Sequence, residues 1–144
     1  MWPVEVGTTR TVRCAVESEH LAARLANEPE ESYPSVFSTP WLLAQFERAA
    51  AKVLRPILES GQVSVGARVA MEHLAPTPLG GEVTAYARYV GMDGSLYLFE
   101  VWAIDEGGLI GKGTHARAIV PGAAVEKRAE KRSAQLSNRA DGFN

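Results

Sequence analysis

The sequence predicts an α+β fold in which a curved antiparallel sheet wraps around one long apolar helix. The first observation is a single stretch with apolar residues at helical spacing, between residues 40 and 59. The second is a series of strand-like segments that follows it, from 62 to 120, separated by glycine-containing turns. Because a helix that is apolar over most of its circumference must be surrounded, a sheet that curves around it is the expected arrangement.

The composition is that of one soluble globular domain. The chain has 144 residues, of which 46% are hydrophobic and 22% are charged, as is usual for globular proteins. A formal net charge of −2 predicts neither a nucleic-acid-binding surface nor a polybasic membrane face. Cys14 is the only cysteine, which excludes an intrachain disulfide and a cysteine-based zinc site. Since the N-terminus lacks the features of a signal peptide, we expect a cytoplasmic protein.

Two segments precede the helix. Residues 8–16 are rich in β-branched residues and place Val12, Cys14 and Val16 on one face, which predicts a first strand. Residues 17–35 are polar and contain prolines and several glutamates. A long connection of this kind is often functional in a compact domain, so we interpret it as a lid-like loop.

The central helix is predicted over residues 40–59. Thr39 is suited to cap its N-terminus, and Pro40 is favourable in the first turn. Its apolar residues recur at spacings of three and four: Leu42, Phe46, Ala49, Ala50, Val53, Leu54 and Ile57. Pro56 predicts a kink or an early end in the last turn, and Gly61 marks the stop.

Four strands are predicted after the helix. Val63, Val65, Ala67, Val69, Met71 and His73 alternate along the first of them, so we expect this set to face the helix. Segments 82–90 and 95–104 flank a Gly-Met-Asp-Gly turn, which is a strong hairpin signal. A second turn leads into the last strand, over 109–120.

This order of elements predicts one hot-dog domain over residues 1–122. A cystatin-like fold or another α+β roll would produce a similar pattern. The charged segment 123–144 is predicted to be a flexible tail or a solvated helix, and we assign it no function.

His73 and Glu47 are the first candidates for chemistry. His73 ends the face that is predicted to point inward; the alternative is a core or rim histidine that is bonded to a backbone carbonyl. Glu47 lies within the apolar helix, and the alternative is a solvated glutamate on its polar strip. A buried carboxylate must be paired or have its pKa raised, and both conditions favour catalytic use.

Four other residues are weaker candidates. The Thr39 hydroxyl either caps the helix or binds a water or substrate. Gly66 interrupts a valine-rich strand, which indicates a bulge or a close approach, and a free N–H there would suit an oxyanion. His115 and Arg117 share one strand face, with solvent exposure or a surface ion pair as the simplest interpretation. The three histidines lack metal-binding spacing, so no metal site is predicted.

Three motifs together resemble the fluoroacetyl-CoA thioesterase family of hot-dog proteins. They are Val-Phe-Ser-Thr-Pro at 36–40 with Glu47 eight residues after Thr39, Glu-His-Leu-Ala-Pro-Thr-Pro around His73, and Gly-Thr-His-Ala-Arg-Ala at 113–118. The resemblance covers about residues 5–120. It implies a homodimer, with further pairing of dimers left open, that hydrolyses acyl-CoA thioesters without a metal or another cofactor.

The resemblance also implies roles for individual residues. Thr39, Glu47 and His73 correspond to a catalytic constellation. Gly66 would lie near the thioester carbonyl, and Arg117 would contact CoA or form an ion pair. Tyr33 and Phe37 fall among the expected substrate-binding residues.

The sequence departs from the family pattern in the lid. Tyr33 can supply one member of an aromatic pair, but Glu30 occupies the place of the other, and Pro40 stands where a glycine is usual. We therefore expect hydrolysis of short or medium acyl-CoA rather than selectivity for fluoroacetyl-CoA. The alternatives are a non-catalytic acyl-CoA-binding module and an enoyl-CoA hydratase. The hydratase is less favoured because no suitable aspartate precedes His73.

Overall fold

The structure is a computed structural model that describes residues 4–142, with side chains up to residue 136. It contains five strands and two α-helices. In chain order these are β1 (Thr9–Ala15), α1 (Thr39–Leu54), β2 (Gln62–His73), β3 (Glu82–Asp93), β4 (Leu96–Asp105), β5 (Gly108–Pro121) and α2 (Gly122–Gly142). Short 3₁₀ helices occupy Ser18–His20 and Ala22–Leu25 in the predicted lid.

The five strands form one antiparallel sheet in the order β1-β3-β4-β5-β2. Helix α1 contacts all five strands, and its Leu42, Phe46 and Leu54 are fully buried. They belong to a core that also includes Val83 and Phe99 from the sheet. This arrangement confirms the predicted α+β fold of a curled sheet around one helix.

The ends of α1 differ from the prediction. The N-cap is Ser38, whose hydroxyl accepts a hydrogen bond from the Trp41 N–H at 3.3 Å, whereas Thr39 is the first helical residue. The expectation that Thr39 caps the helix is therefore wrong. The helix ends at Leu54 rather than at residue 59, and a 3₁₀ turn over Arg55–Ile57 follows. Pro56 explains the early end because it has no N–H to donate.

A β-bulge in β2 changes which side chains face the helix. The register with β5 shifts between Gly66 and Arg68, and one extra residue reverses the alternation of faces. Val69, Met71 and His73 lie opposite His115, Gly113 and Gly111, as expected of an inward face. Before the bulge, however, Gly66 lies opposite the inward Arg117, and Val63 is 39% exposed. The prediction of one continuous inward face from Val63 to His73 is thus wrong for its first half.

Helix α2 follows β5 directly and spans Gly122–Gly142. Its described side chains, from 123 to 136, are exposed. As far as the structure describes it, this segment is a solvated helix, and the division into a domain over 1–122 and a flexible tail stays a prediction. Within residues 4–142, no helix is both long enough and apolar enough to cross a membrane.

Candidate functional site

Thr39 and His73 meet at the N-terminus of α1. The Thr39 Oγ1 atom lies 2.8 Å from His73 Nδ1, at hydrogen-bonding distance. Because Ser38 caps the helix, the Thr39 hydroxyl is available for this contact. Both residues line an open cleft of about 410 Å³, together with Phe37, Leu74 and other residues of the 34–39 and 73–76 segments.

One nitrogen of His73 has no partner. Among the buried side-chain nitrogen and oxygen atoms that the structure describes, His73 Nε2 lacks a hydrogen bond. Burial lowers the pKa of His73, and the nearby Ala75 backbone opposes this effect. The ring is therefore held largely neutral near pH 7. A neutral imidazole with one unoccupied nitrogen can accept a proton from a reacting group or donate one to it.

Glu47 lies elsewhere on the same helix, eight residues from Thr39, which corresponds to ~12 Å along the axis. Its side chain is 45% exposed, and its Oε1 atom lies 3.8 Å from Arg117 Nη1. The carboxylate approaches the backbone of Gly66 so closely that a Cβ atom there would overlap Oε1. The expectation of a buried carboxylate is wrong, because Glu47 is half-exposed and paired with a cation.

Gly66 fulfils both structural expectations for its position. It adjoins the bulge in β2, and the group that approaches it closely is the carboxylate of Glu47. The further expectation, that its N–H faces an oxyanion, stays a prediction.

Arg117 is buried and fully engaged. Its guanidinium donates to Ser64 Oγ at 3.0 Å, to the Ser64 carbonyl at 2.9 Å and to His115 Nε2 at 3.2 Å. With the ion pair to Glu47 at 3.8 Å, these contacts surround the guanidinium, and its side chain is only 8% exposed. Of the two roles expected for Arg117, the single chain has the ion pair, and contact with CoA stays a prediction.

The sequence predicts His115 at the surface, and this prediction is wrong, because the residue is 3% exposed. Its Nδ1 lies 2.8 Å from the Arg68 carbonyl. Burial lowers the pKa of His115; the Arg68 hydrogen bond opposes this, and the Arg117 charge adds to it. The sequence does contain a signal for this burial, namely the alternation Gly111, Gly113, His115 and Arg117. Two glycines on the same strand face indicate that this face packs closely against other atoms and is not open to solvent.

The lid residues are divided between core and surface. Phe37 is 1% exposed, and its backbone N–H donates to the Thr77 carbonyl. The residue nevertheless forms part of the lining of the cleft. Tyr33 is 44% exposed, and Glu30 is also exposed. The substrate-binding roles of Tyr33 and Phe37 stay predictions.

Two further observations concern a second groove and the possibility of a metal site. A larger groove of about 800 Å³ lies beyond the C-terminal end of α1, between Val53, Ile57 and Tyr89, and none of the predicted site residues lines it. In the described part of the chain, no three His, Cys, Asp or Glu side chains are grouped so as to hold a metal ion.

Comparison with known proteins gives consistent matches. The model of the family described as fluoroacetyl-CoA-specific thioesterase (FlK) matches residues 16–123. A fluoroacetyl-CoA thioesterase from Streptantibioticus cattleyicolor is 35% identical over 88 residues, which are 61% of this chain and 63% of that protein. The alignment therefore spans less than two thirds of the relative.

Solved structures extend the likeness to nearly the whole chain. A crystal structure of a mutant of FlK has a TM-score of 0.85 and 28% identity, with 92% of this chain and 99% of that chain covered. The same mutant in complex with fluoroacetate and CoA has a TM-score of 0.76 and 32% identity, with 82% and 96% covered. A hot-dog-like protein from Thermanaerovibrio acidaminovorans has a TM-score of 0.75 and 29% identity, with 90% and 93% covered.

These matches confirm the hot-dog fold and the family that the sequence motifs resemble. The family model covers the predicted lid, α1 and all of β2 to β5, which are the elements that carry Thr39, Glu47, His73 and Arg117. The chain belongs to the fluoroacetyl-CoA-specific thioesterase family, FlK.

Proposed function

We propose that this protein hydrolyses acyl-CoA thioesters, with short or medium acyl groups as substrates and with Thr39, Glu47 and His73 as the catalytic residues. The observation that carries the proposal is the Thr39–His73 hydrogen bond in an open cleft, with His73 Nε2 left without a partner. Membership of a thioesterase family supports the reaction class. An FlK structure that contains fluoroacetate and CoA supports an acyl-CoA ligand.

Each residue has a defined task in this reaction. The Thr39 hydroxyl holds the attacking water or the acyl oxygen, and the Gly66 N–H donates to the oxyanion that forms on the carbonyl. Glu47 either removes a proton from the water or attacks the carbonyl itself to form an anhydride that water then cleaves. In both cases the C–S bond breaks, and the neutral His73 passes a proton from water to the departing CoA thiolate, so the ring gains one proton and loses one.

Glu47 of the same chain is poorly placed to act with His73. Glu47 faces Gly66, which is seven residues from His73 on β2, or roughly 23 Å at 3.3 Å per residue before the bulge is considered. Within the described residues, Glu47 forms its ion pair with Arg117, and His73 bonds to Thr39. A second subunit is therefore needed to complete the constellation.

Strand β2 is suited to bring that subunit. It lies at an edge of the sheet, and its Val63 and Val69 are 39% and 41% exposed. An unpaired edge of this kind is a template for another strand, and two-fold symmetric pairing is the commonest form of association. We propose a homodimer in which β2 pairs with its own copy, with further pairing of dimers left open.

The same pairing would assemble the site. In an antiparallel two-fold pair that is centred on Ala70, the extra residue of the bulge would bring His73 opposite Gly66 of the partner subunit. By symmetry, the partner subunit's Glu47 would pack against that glycine, as Glu47 does against Gly66 within one chain. The unpartnered Nε2 of His73 would then face the carboxylate, and the acyl group would lie between the subunits. Each dimer would have two such sites.

A thiol-release assay with a panel of acyl-CoA substrates tests the proposal. The wild-type protein should release CoA from acetyl-, propionyl- and butyryl-CoA, whereas Thr39→Ala, Glu47→Gln and His73→Ala should lose 10²–10⁴-fold in kcat, as is typical for a general acid or base. A folded wild-type protein that binds acyl-CoA without turnover would instead be a non-catalytic binding module. A cytoplasmic location and independence of cofactors stay predictions.

A further inference from the structure

We infer that His115 is a positioning residue for Glu47, which it orients through Arg117. This inference rests on the proposed function, because the significance of the placement depends on Glu47 being catalytic. The ring nitrogens of His115 bond to neither Thr39 nor the Glu47 carboxylate; they contact the Arg68 carbonyl and the Arg117 guanidinium.

The bulge in β2 determines the proton position on His115. The Arg68 carbonyl follows the shift in register and lies 2.8 Å from His115 Nδ1. A carbonyl can only accept a hydrogen bond, so Nδ1 must carry the proton. In a neutral ring, Nε2 is then the acceptor.

Arg117 uses that acceptor. Its Nη1 lies 3.2 Å from His115 Nε2, and a guanidinium can only donate. Both contacts are therefore satisfied only by the neutral ring with its proton on Nδ1. A second proton on the ring would place an N–H against the guanidinium and add a second positive charge beside it in a buried position.

The guanidinium is consequently fixed on three sides. Ser64 accepts from Nε and Nη2, and His115 accepts from Nη1, the same nitrogen that lies 3.8 Å from Glu47 Oε1. The His115 Cε1 atom is also 3.4 Å from the position of a Cβ on Gly66, so the ring forms one wall of the space that holds the carboxylate. Without the ring acceptor, only Ser64 would hold the guanidinium, and Nη1 would be less firmly placed beside Glu47.

The tautomer provides a test that does not depend on activity. In long-range ¹H–¹⁵N spectra of the wild-type protein near pH 7, His115 should have the neutral ring with Nδ1 protonated. A charged ring, or a proton on Nε2, would overturn the inference. A wild-type protein without thioesterase activity would contradict only the proposed function, since the tautomer would still report the placement of Arg117.

Kinetics of paired variants test the coupling. His115→Phe removes both ring nitrogens, and His115→Asn keeps a donor near the Arg68 carbonyl but removes the acceptor for Arg117. Because small displacements of catalytic groups cost up to about 10²-fold, we expect either variant to lower kcat by roughly 10–100-fold with KM changed less than about threefold. In an Arg117→Met background, His115→Phe should lower kcat by less than about a further twofold.

Phe99→Leu is the packing control, because the Phe99 ring lies 6.4 Å from the His115 ring in the same core. It should lower the melting temperature while the kcat of the folded enzyme stays within about twofold of wild type. The inference is overturned if His115→Phe keeps full kcat in a folded protein, or if its loss is the same with and without Arg117.

Discussion

Ser38 and Thr39, adjacent hydroxyl residues at the start of α1, have separable functions. Ser38 is 1% exposed and caps the helix, whereas Thr39 faces His73 across the cleft. A single sequence position therefore separates a residue that stabilises the helix from one that we assign to the reaction. This separation makes the two roles testable side by side.

We predict opposite effects of substitution at these two positions. Ser38→Ala should lower the free energy of unfolding by about 1 kcal/mol, the usual cost of a lost N-cap. Thr39→Ala should leave the melting temperature within a few degrees but abolish most thiol release, and Thr39→Ser should restore part of it by returning the hydroxyl. Urea denaturation and the thiol-release assay measure the two effects. Equal stability losses at both positions would contradict this assignment.

Two histidines, His73 and His115, predict how stability depends on pH. Burial lowers the pKa of His73 and of His115 below their ordinary value near 6.5. The unfolded chain therefore binds protons that the folded chain excludes, so stability is present above pH 6.5 and is lost as the pH falls towards the folded-state pKa values.

Urea denaturation between about pH 8 and pH 5.5 should show this loss, with a slope of at most about 1.4 kcal/mol per pH unit for each histidine. His115→Phe should have a shallower slope than wild type, because one of the two groups is gone. A free energy of unfolding that stays constant or rises as the pH falls would contradict the prediction.

At the level of elements, a side chain is excluded at Gly66 in β2 and at Gly113 in β5 for different structural reasons. A Cβ at Gly66 would meet the end of the Glu47 side chain, whereas a Cβ at Gly113 would overlap the Ala70 carbonyl and lie 2.8 Å from Met71 Cα. Side chains can move aside, but the backbone of a paired strand cannot do so easily.

Gly66→Ala should therefore cost less than about 1 kcal/mol of stability and still lower kcat strongly, because the Glu47 carboxylate must leave its place. Gly113→Ala is the matched control, and overpacking against backbone should cost it about 1–3 kcal/mol of stability. Chemical denaturation measures the loss of stability in both variants, and the thiol-release assay measures their kcat. Normal kcat in Gly66→Ala would show that the position of the carboxylate is not important.

For the whole molecule, the main question is whether one chain or two build the site. Mixing two inactive variants, His73→Ala and Glu47→Gln, decides between these cases. If each site takes His73 from one subunit and Glu47 from the other, a mixed dimer has one intact site.

After unfolding and refolding together, an equal mixture of the two variants should recover about a quarter of wild-type activity, since half of the dimers are mixed and each has one of two sites intact. The variants refolded separately are the controls, and light scattering should report dimers throughout. If the mixed dimers recover no activity, the site is not shared between subunits. A wild-type protein that is monomeric would also contradict a shared site.

At the scale of the whole molecule, the lid predicts the substrate preference of the proposed reaction. Fluorine and hydrogen differ little in size, and small differences in an apolar site are worth only ~1–3 kcal/mol. Glu30 and Tyr33 are exposed in the lid, which leaves it without a closed aromatic wall. We expect kcat/KM for fluoroacetyl-CoA to exceed that for acetyl-CoA by less than about 10⁴-fold. A larger ratio, measured beside propionyl- and butyryl-CoA, would contradict this expectation.

Local patterns were sufficient for the order of elements and for several site candidates. The spacing of apolar residues in α1 predicts its buried face, because helical periodicity depends only on the local chain. Pro56 predicts its early end, and a glycine within a valine-rich strand predicts the bulge at Gly66. The motifs around Thr39 and His73 likewise indicate the family, since they are short segments whose spacing is visible along the chain.

Tertiary structure decided which of these residues meet. A one-residue bulge reversed the face of β2 before Arg68, and alternation read along the chain could not reveal that reversal. The burial of His115 and the pairing of Arg117 with Glu47 depend on contacts between β2, β5 and α1 that are distant in sequence. The choice of Ser38 over Thr39 as the cap depends on backbone dihedral angles at one residue, and it leaves the Thr39 hydroxyl facing His73.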